Sequence, residues 1–456
     1  MKKVTRQLTH HERIRPIHYL GSKLRILDEI EEAVNEVEAT GGRLFDLFSG
    51  SGTVSGFFRN KRDVTSVDIQ EYSRVLCSAL LRTKRHERTA ADILGELGSS
   101  CFLHVLEDAF EPMLSLEEIA FEKARRGEYS DLFEIVRCGS LHLFHNDQAS
   151  SENDALNNAL GSTMSRIKGL GLDRSNKAVM SRYYAGPYFS FHQSIAVDAI
   201  IDYIHGNSEP GSVERDLLQA PLMGAVSEIV NTVGKQFAQP LKVVDGNGKM
   251  KGNLVSKILK DRSMPVLDIY GSWLKDYWSL KDTGRNHLVV REDYRGALSS
   301  VKEPPSVIYA DPPYTRYHYS RYYHILETIA KNDVPSITTT FKNGAAISRG
   351  LYRDDRHQSP FCIQSQARAA FNDLFRTASK HPVPLILSYS PFMPEGKMIP
   401  RMQTIDQIVK AGKGYYADIE VRPAGDFSHS RLNKKSLNNI PDVGAELLIV
   451  CTKPFV

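Results

Sequence analysis

The chain has 456 residues, 41% hydrophobic and 25% charged, with a formal net charge of +4, which is the composition of an ordinary globular protein with room for more than one domain. No apolar run approaches the roughly 18–20 residues of a membrane-spanning helix, and the polar, basic stretch 1–15 lacks the apolar core of a secretory signal. The five cysteines, Cys77, Cys101, Cys138, Cys362 and Cys451, are scattered and odd in number, which fits free buried thiols in a reducing cytosol better than a disulfide framework.

Along the chain, Leu24, Ile26, Leu27, Ile30, Ala33, Val34 and Val37 recur at helical spacing, so 22–39 reads as an amphipathic helix, ended by Gly41-Gly42. Residues 43–48 read as a buried strand, followed by Ser49-Gly50-Ser51-Gly52 and a short helix. Residues 63–69 read as a second strand and 71–85 as another helix, an order that implies a parallel sheet with right-handed crossovers. From 91 to 285 the alternation is lost. Helices are expected at 112–126 and 213–236, and the Ser/Asn/Gly-rich piece 148–163 reads as a loop. Strands resume at 287–291 and 306–310, then a helix at 320–331, a buried strand at 384–389, and an antiparallel pair at 415–422 and 446–452. The pattern predicts one α/β domain, 1–90 and 287–456, split by an inserted, mostly helical region, 91–286, of about 200 residues, itself the size of a domain.

Charge is uneven. Residues 1–90 hold 16 Lys and Arg against 12 Asp and Glu, residues 310–456 hold 19 against 13, and the middle holds 23 against 29. Basic ends fit contact with an anionic partner, and equally a solvated surface.

Asp311-Pro312-Pro313-Tyr314 directly follows the apolar strand 306–310, and a loop at the carboxyl end of a parallel strand is where open α/β sheets bind ligands. An amine conjugated with a ring, such as that of adenine, is a poor nucleophile. A carboxylate and a backbone carbonyl that each accept one of its N–H groups free the lone pair to attack an electrophilic carbon. Successive prolines fix φ and remove both backbone donors, so the Pro312 carbonyl can be aimed as an acceptor. Tyr314 offers a ring on which a base can stack, worth about 1–3 kcal/mol. A tight turn after a strand is the plain alternative. Asp46-x-Phe48-x-Gly50-x-Gly52 follows the first strand; two glycines let backbone approach a ligand closely at a helix start, or simply make a turn. The motif lacks the third glycine of the dinucleotide fingerprint and the Gly-Lys-Ser/Thr of a P-loop. Asp68 ends the next strand, where an acidic side chain can accept from ribose hydroxyls, or stand as a surface residue. Cys138, His142 and His145 have a spacing that raises a metal site, but a helix with one polar face explains them more simply, and no metal is expected.

Tyr19-Leu-Gly21-Ser22-Lys23, the Asp46–Gly52 turn, Asp68 and Asp311–Tyr314 occur in the order of the α-group of DNA amino-methyltransferases, the family of the DNA adenine methylases and several restriction-modification methylases, and the chain resembles that family over 15–85 and 287–456. The resemblance implies a Rossmann-like seven-stranded sheet with an antiparallel last strand and S-adenosylmethionine as cofactor. It implies Asp311, Pro312, Pro313 and Tyr314 as catalytic residues, with Tyr19, Gly21, Ser22, Lys23, Asp46, Phe48, Gly50, Gly52, Asp68 and Asp293 around the cofactor; Glu292 adjoins Asp293 and competes for its role. The substrate it implies is double-stranded DNA with adenine flipped out of the helix for N6 methylation, and the insertion would recognise the target. The setting it implies is the cytoplasm of a bacterium or archaeon, or a phage, with a companion restriction or phage-defence activity left open. An RNA adenine or cytosine-N4 acceptor, or a non-catalytic DNA-binding homologue, are the alternatives. Lys23 reads as lying near the cofactor or a target phosphate, or as a solvated lysine at a helix start. Arg316–His324, the loop His429–Lys435, and the basic stretches Arg166–Arg182 and Lys242–Arg262 are candidate DNA contacts. Tyr183–Ser190 with Ile200–Asp202, and Asn231–Gly234, are similar to segments of longer members, with no role assigned.

Overall fold

The computed structural model describes residues 14–84, 87–149, 151–300, 302–316, 318–342, 345–347, 350–390, 402–424 and 446–455. The chain divides into two compact units, 1–85 with 280–320 and 357–456, and 86–279 with 321–356. The second unit therefore takes in 321–356, which falls inside the segment expected for the catalytic domain.

The first unit is built on one seven-stranded sheet: β1 Leu44–Leu47, β2 Val64–Asp68, β3 Leu288–Arg291, β4 Val307–Ala310, β5 Leu385–Tyr389, β6 Tyr416–Pro423 and β7 Leu447–Pro454. The spatial order is β3-β2-β1-β4-β5-β7-β6. β1 to β5 pair in parallel, and β7 inserts antiparallel between β5 and β6. Strands β1, β4 and β5 are buried throughout, because alternate residues feed two different cores. Phe45, Leu47, Ile308, Ala310, Leu385 and Leu387 face one layer with residues of α4 Tyr294–Ser299, α5 Ala367–Ala378 and α6 Ile405–Gly412. Leu44, Val307, Tyr309 and Ile386 face the other, with residues of α1 Leu27–Val37 and α2 Thr53–Phe58. The remaining crossover helix, α3, is Glu71–Leu81. The fold expected from the sequence is present, and the elements differ from their expected bounds by a few residues.

The second unit is mostly helical. Its core joins Leu106, Phe110 and Met113 of the helix Cys101–Arg125 to Leu132, Phe133, Leu160, Ile167, Phe191 and Ile195. That helix runs through Pro112 and begins eleven residues before the expected 112–126. The expected loop at 148–163 is a correction. Asp154–Gly169 is a helix, capped by the Asn153 side chain, which accepts from the Leu156 N–H. Leu156, Ala159, Leu160, Thr163, Met164 and Ile167 are buried at helical spacing, so tertiary burial outweighs the weak helix propensity of the Ser and Asn residues.

Two of the basic stretches considered as DNA contacts are structural at their ends. The Arg182 guanidinium is buried and donates to the Leu172 and Ser175 carbonyls. Arg262 is fully buried beside Glu117 and donates to the Gly186 carbonyl. Lys242 and Lys249 are exposed. The unassigned segments are also core: Tyr184 and Tyr188 flank the buried His324 ring at 5.7 and 5.8 Å, and the Asn231 amide donates to Asp261. His142 stacks on Tyr183 at 4.1 Å, and among the described residues no group of three metal-ligating side chains occurs. No helix among them is long and apolar enough to cross a membrane.

Ile308 is central in the sheet and fully buried, so Ile308→Ala should lower stability by about 2–5 kcal/mol, measured by chemical denaturation of the full chain.

Candidate active site

Three parallel pairings place the functional loops. Leu47 lies opposite Ala310 on one side and Val67 on the other, and Asp68 lies opposite Arg291. The residues that follow these registered positions, Phe48, Asp311 and Glu292-Asp293, therefore emerge with Asp68 along one carboxyl edge. One cleft at that edge is lined by Tyr19, Gly21, Lys23, Phe48, Asp68, Glu292, Asp293 and the whole Asp311–Tyr314 tetrad. Ser22, Asp46, Gly50 and Gly52 do not line it.

Lys23 is neither solvated nor exposed. Its side chain is 6% accessible, with Nζ 2.8 Å from Asp311 Oδ1 and 3.1 Å from Glu446 Oε1. Burial disfavours the ammonium, but Asp311 and Glu446 outweigh it and hold its pKa well above the ordinary value. Nζ also sits 5.7 Å from the centre of the Tyr314 ring. Tyr314 is itself buried, tilted against Tyr389 at 4.9 Å.

Gly50 adopts φ +55°, and a Cβ there would stand 2.4 Å from the Tyr19 hydroxyl. Gly52, at φ +75°, would push a Cβ to 3.0 Å from Cys77 Sγ and Leu80 Cδ1 of α3. Both glycines thus make room for the protein's own side chains, Tyr19 and α3, as well as permitting left-handed backbone. Asp68 steadies the turn: Oδ2 accepts the Gly50 N–H and Oδ1 the Gln70 N–H, both at 2.9 Å.

Asp46 lies wholly below the surface and accepts from the Ser55 N–H at 3.0 Å and its hydroxyl at 2.6 Å, so it satisfies an amide in the first turn of α2. Burial raises its pKa, the Ser55 bond opposes, Asp311 adds to the rise, and the result is about 7. Asp293 caps α4, with Oδ1 accepting the Arg295 and Gly296 N–H groups. Beside it, Phe48, Tyr294 and Phe361 form an aromatic cluster with centroids 5.4–5.9 Å apart.

Sequence reasoning missed Glu446 and Phe361. Glu446 carries no motif, and Phe361 sits in a short 3₁₀ turn, Pro360–Cys362. An acidic residue opening the last strand, which pairs with β5 two places from β4, was the available signal for Glu446. Of the cation–aromatic run Arg316–His324, His318, Tyr319 and Ser320 line the cleft. Tyr323 and His324 are core residues of the second unit, and burial lowers the His324 pKa to about 3. Tyr317 and the loop His429–Lys435 lie outside the described residues.

A doubly wound sheet in this strand order, with the last strand antiparallel and its acidic and aromatic groups at the carboxyl edge, defines a methyltransferase fold. Residues 19–184 match the model of the D12 class N6 adenine-specific DNA methyltransferases. It is 22% identical over 409 residues to the modification methylase LlaI of Lactococcus lactis subsp. lactis, covering 88% of this chain and 51% of that one. It is 25% identical over 382 residues to the type II methyltransferase M.FokI of Planomicrobium okeanokoites, covering 82% and 44%. The chain spans about half the length of these curated relatives.

Because Asp46 holds a proton in the native state up to about pH 7 that the unfolded chain releases near its ordinary pKa of about 3.9, native stability should fall as pH rises through that window. Asp46→Asn, which keeps an oxygen acceptor for Ser55, should abolish that slope. Its melting temperature relative to wild type should then be higher at about pH 8 than at about pH 5, and an equal difference at both would exclude a neutral Asp46.

Proposed function

We propose that the protein transfers a methyl group from S-adenosylmethionine to the N6 amine of adenine in double-stranded DNA. The observation that carries this reading is the register of β1 with β4, which brings Phe48, at the start of the glycine turn, and the Asp311 tetrad to one cleft. The family match over 19–184 supports it.

The residues of the cleft are of the kinds that would hold S-adenosylmethionine. Phe48, Tyr294 and Phe361 offer an aromatic wall for an adenine ring, and the Asp68 carboxylate is an acceptor of the kind that ribose hydroxyls need. Asp293, at the end of the neighbouring strand and next to Tyr294 of that wall, would lie near the cofactor's adenine. Tyr19, Gly21, Ser22 and Lys23 form the turn that closes over Gly50, with Gly52 and Asp46 holding the turn from behind. When bound, S-adenosylmethionine supplies a methyl group on positively charged sulfur. The chain's own residues then do the rest. The target base leaves the duplex stack, and Tyr314 and the Pro312-Pro313 backbone border the space it enters. The Asp311 carboxylate and the Pro312 carbonyl would accept the two N–H bonds of the amine and turn its lone pair toward the methyl carbon, and one amine proton would be released once the C–N bond has formed and the S–C bond has broken. Asp311 also faces the positive charge that develops on nitrogen. The helical second unit would carry target recognition.

Asp311→Ala should lower methyl transfer by about 10²–10⁴-fold, while binding of S-adenosylhomocysteine stays close to wild type. Nucleoside mass spectrometry of unmethylated genomic DNA, and of an RNA transcript of the same sequence, reads both the rate and the acceptor. Near-wild-type transfer in the variant, or methyl found on RNA or cytosine instead, would refute the assignment.

A further inference from the structure

We propose that Glu446 is a positioning residue for the Asp311 loop: it shares the buried Lys23 ammonium with Asp311 and so sets how much negative charge Asp311 presents to the target amine. The inference rests on the methyl-transfer reading above.

Lys23 Nζ lies 2.8 Å from Asp311 Oδ1 and 3.1 Å from Glu446 Oε1. One ammonium paired with one carboxylate is neutral, and the donated bond weakens that carboxylate as an acceptor. A second carboxylate on the same ammonium competes for it, so Asp311 is neutralised less than in a simple pair with Lys23. The two acids are not equivalent. The Asp311 side chain is 21% accessible and lines the cleft, whereas that of Glu446 is 5% accessible. The charge that Asp311 keeps is therefore available where a ligand can meet it, in surroundings where charge–charge effects are stronger than in water.

Glu446 is also rigidly held. Ser388 Oγ donates to Oε1 at 2.8 Å, the Tyr314 hydroxyl lies 3.5 Å from Oε2, and the Glu446 carbonyl accepts the Ala424 N–H at 2.9 Å. The next residue, Leu447, is in register with Tyr389 and Pro423. The terminal strand thus delivers this carboxylate to Lys23 as fixed geometry rather than as a mobile side chain. A buried ion cluster that served stability alone is weak evidence for anything else, so the test must read more than folding.

In the full-length protein, Glu446→Gln should lower single-turnover methyl transfer to unmethylated genomic DNA by about tenfold or more. Its melting temperature and its affinity for S-adenosylhomocysteine should stay near wild type, and Glu446→Asp should restore part of the rate. Independently of activity, trace acetylation with acetic anhydride at about pH 9, quantified at Lys23 by mass spectrometry, should rise about threefold or more in Glu446→Gln, because the ammonium has lost a partner that held its proton. If Glu446→Gln does not fold, Ser388→Ala, which removes the hydroxyl on Oε1, should move both readouts in the same direction by a smaller factor. A transfer rate within about twofold of wild type, an unchanged Lys23 labelling rate, or a rate loss matched by equal losses of melting temperature and cofactor-product affinity overturns the inference. A wild-type protein that methylates no DNA adenine overturns the functional reading instead, and the labelling experiment still decides whether Glu446 governs Lys23.

Discussion

The parallel pairing of β1 with both β2 and β4 is the constraint on which the cleft depends. Leu47 is bonded into a register with Val67 and Ala310, residues separated from each other by more than half the chain. Because parallel strands all point the same way, every loop leaving them exits at one edge. The Asp311 N–H points to the Leu47 carbonyl at 3.4 Å, the Ser49 N–H to Val67 at 3.0 Å and the Glu292 N–H to Asp68 at 3.0 Å, so the ladder continues into the first residue of each loop. The acidic and aromatic groups of the cleft are held by backbone hydrogen bonds, and a one-residue slip would turn each of them to the wrong face.

Around that ladder the charges are arranged in two different ways. Asp46 has no cationic partner at hydrogen-bonding distance among the described residues, so burial favours its neutral form, and Ser55 supplies the hydrogen bonds that make burial tolerable. Lys23 is equally buried but sits between two carboxylates and stays charged. Desolvating three ionic groups is expensive, and such clusters often add little net stability. What this one secures is geometry: Lys23 from the chain's beginning, Asp311 after β4 and Glu446 before β7 meet at a single nitrogen.

The glycines of the first loop illustrate how one motif serves packing and function together. Their left-handed backbone makes the turn, and the space left by the missing side chains is taken by Tyr19 and by α3. The basic stretches of the second unit make the same point from the other direction. Arg182 and Arg262 look in sequence like surface cations but are fastened to backbone carbonyls inside it.

Periodicity, strand–helix alternation and the two loop motifs determined the sheet, the place of the Asp311–Tyr314 tetrad, the turn after β1 and the acidic strand ends, because these are local patterns set by repeat lengths and by residue types that few other conformations tolerate. The helix Asp154–Gly169 was not legible, since its buried positions are spaced correctly but are filled by small and polar residues whose helical state depends on neighbours remote in sequence. Nor was the buried place of Glu446, whose carboxylate pairs with a lysine more than four hundred residues earlier. Tertiary structure alone decided which charges are buried, which cations are structural and which side chains share one ammonium, because desolvation and pairing are properties of surroundings that no single segment contains.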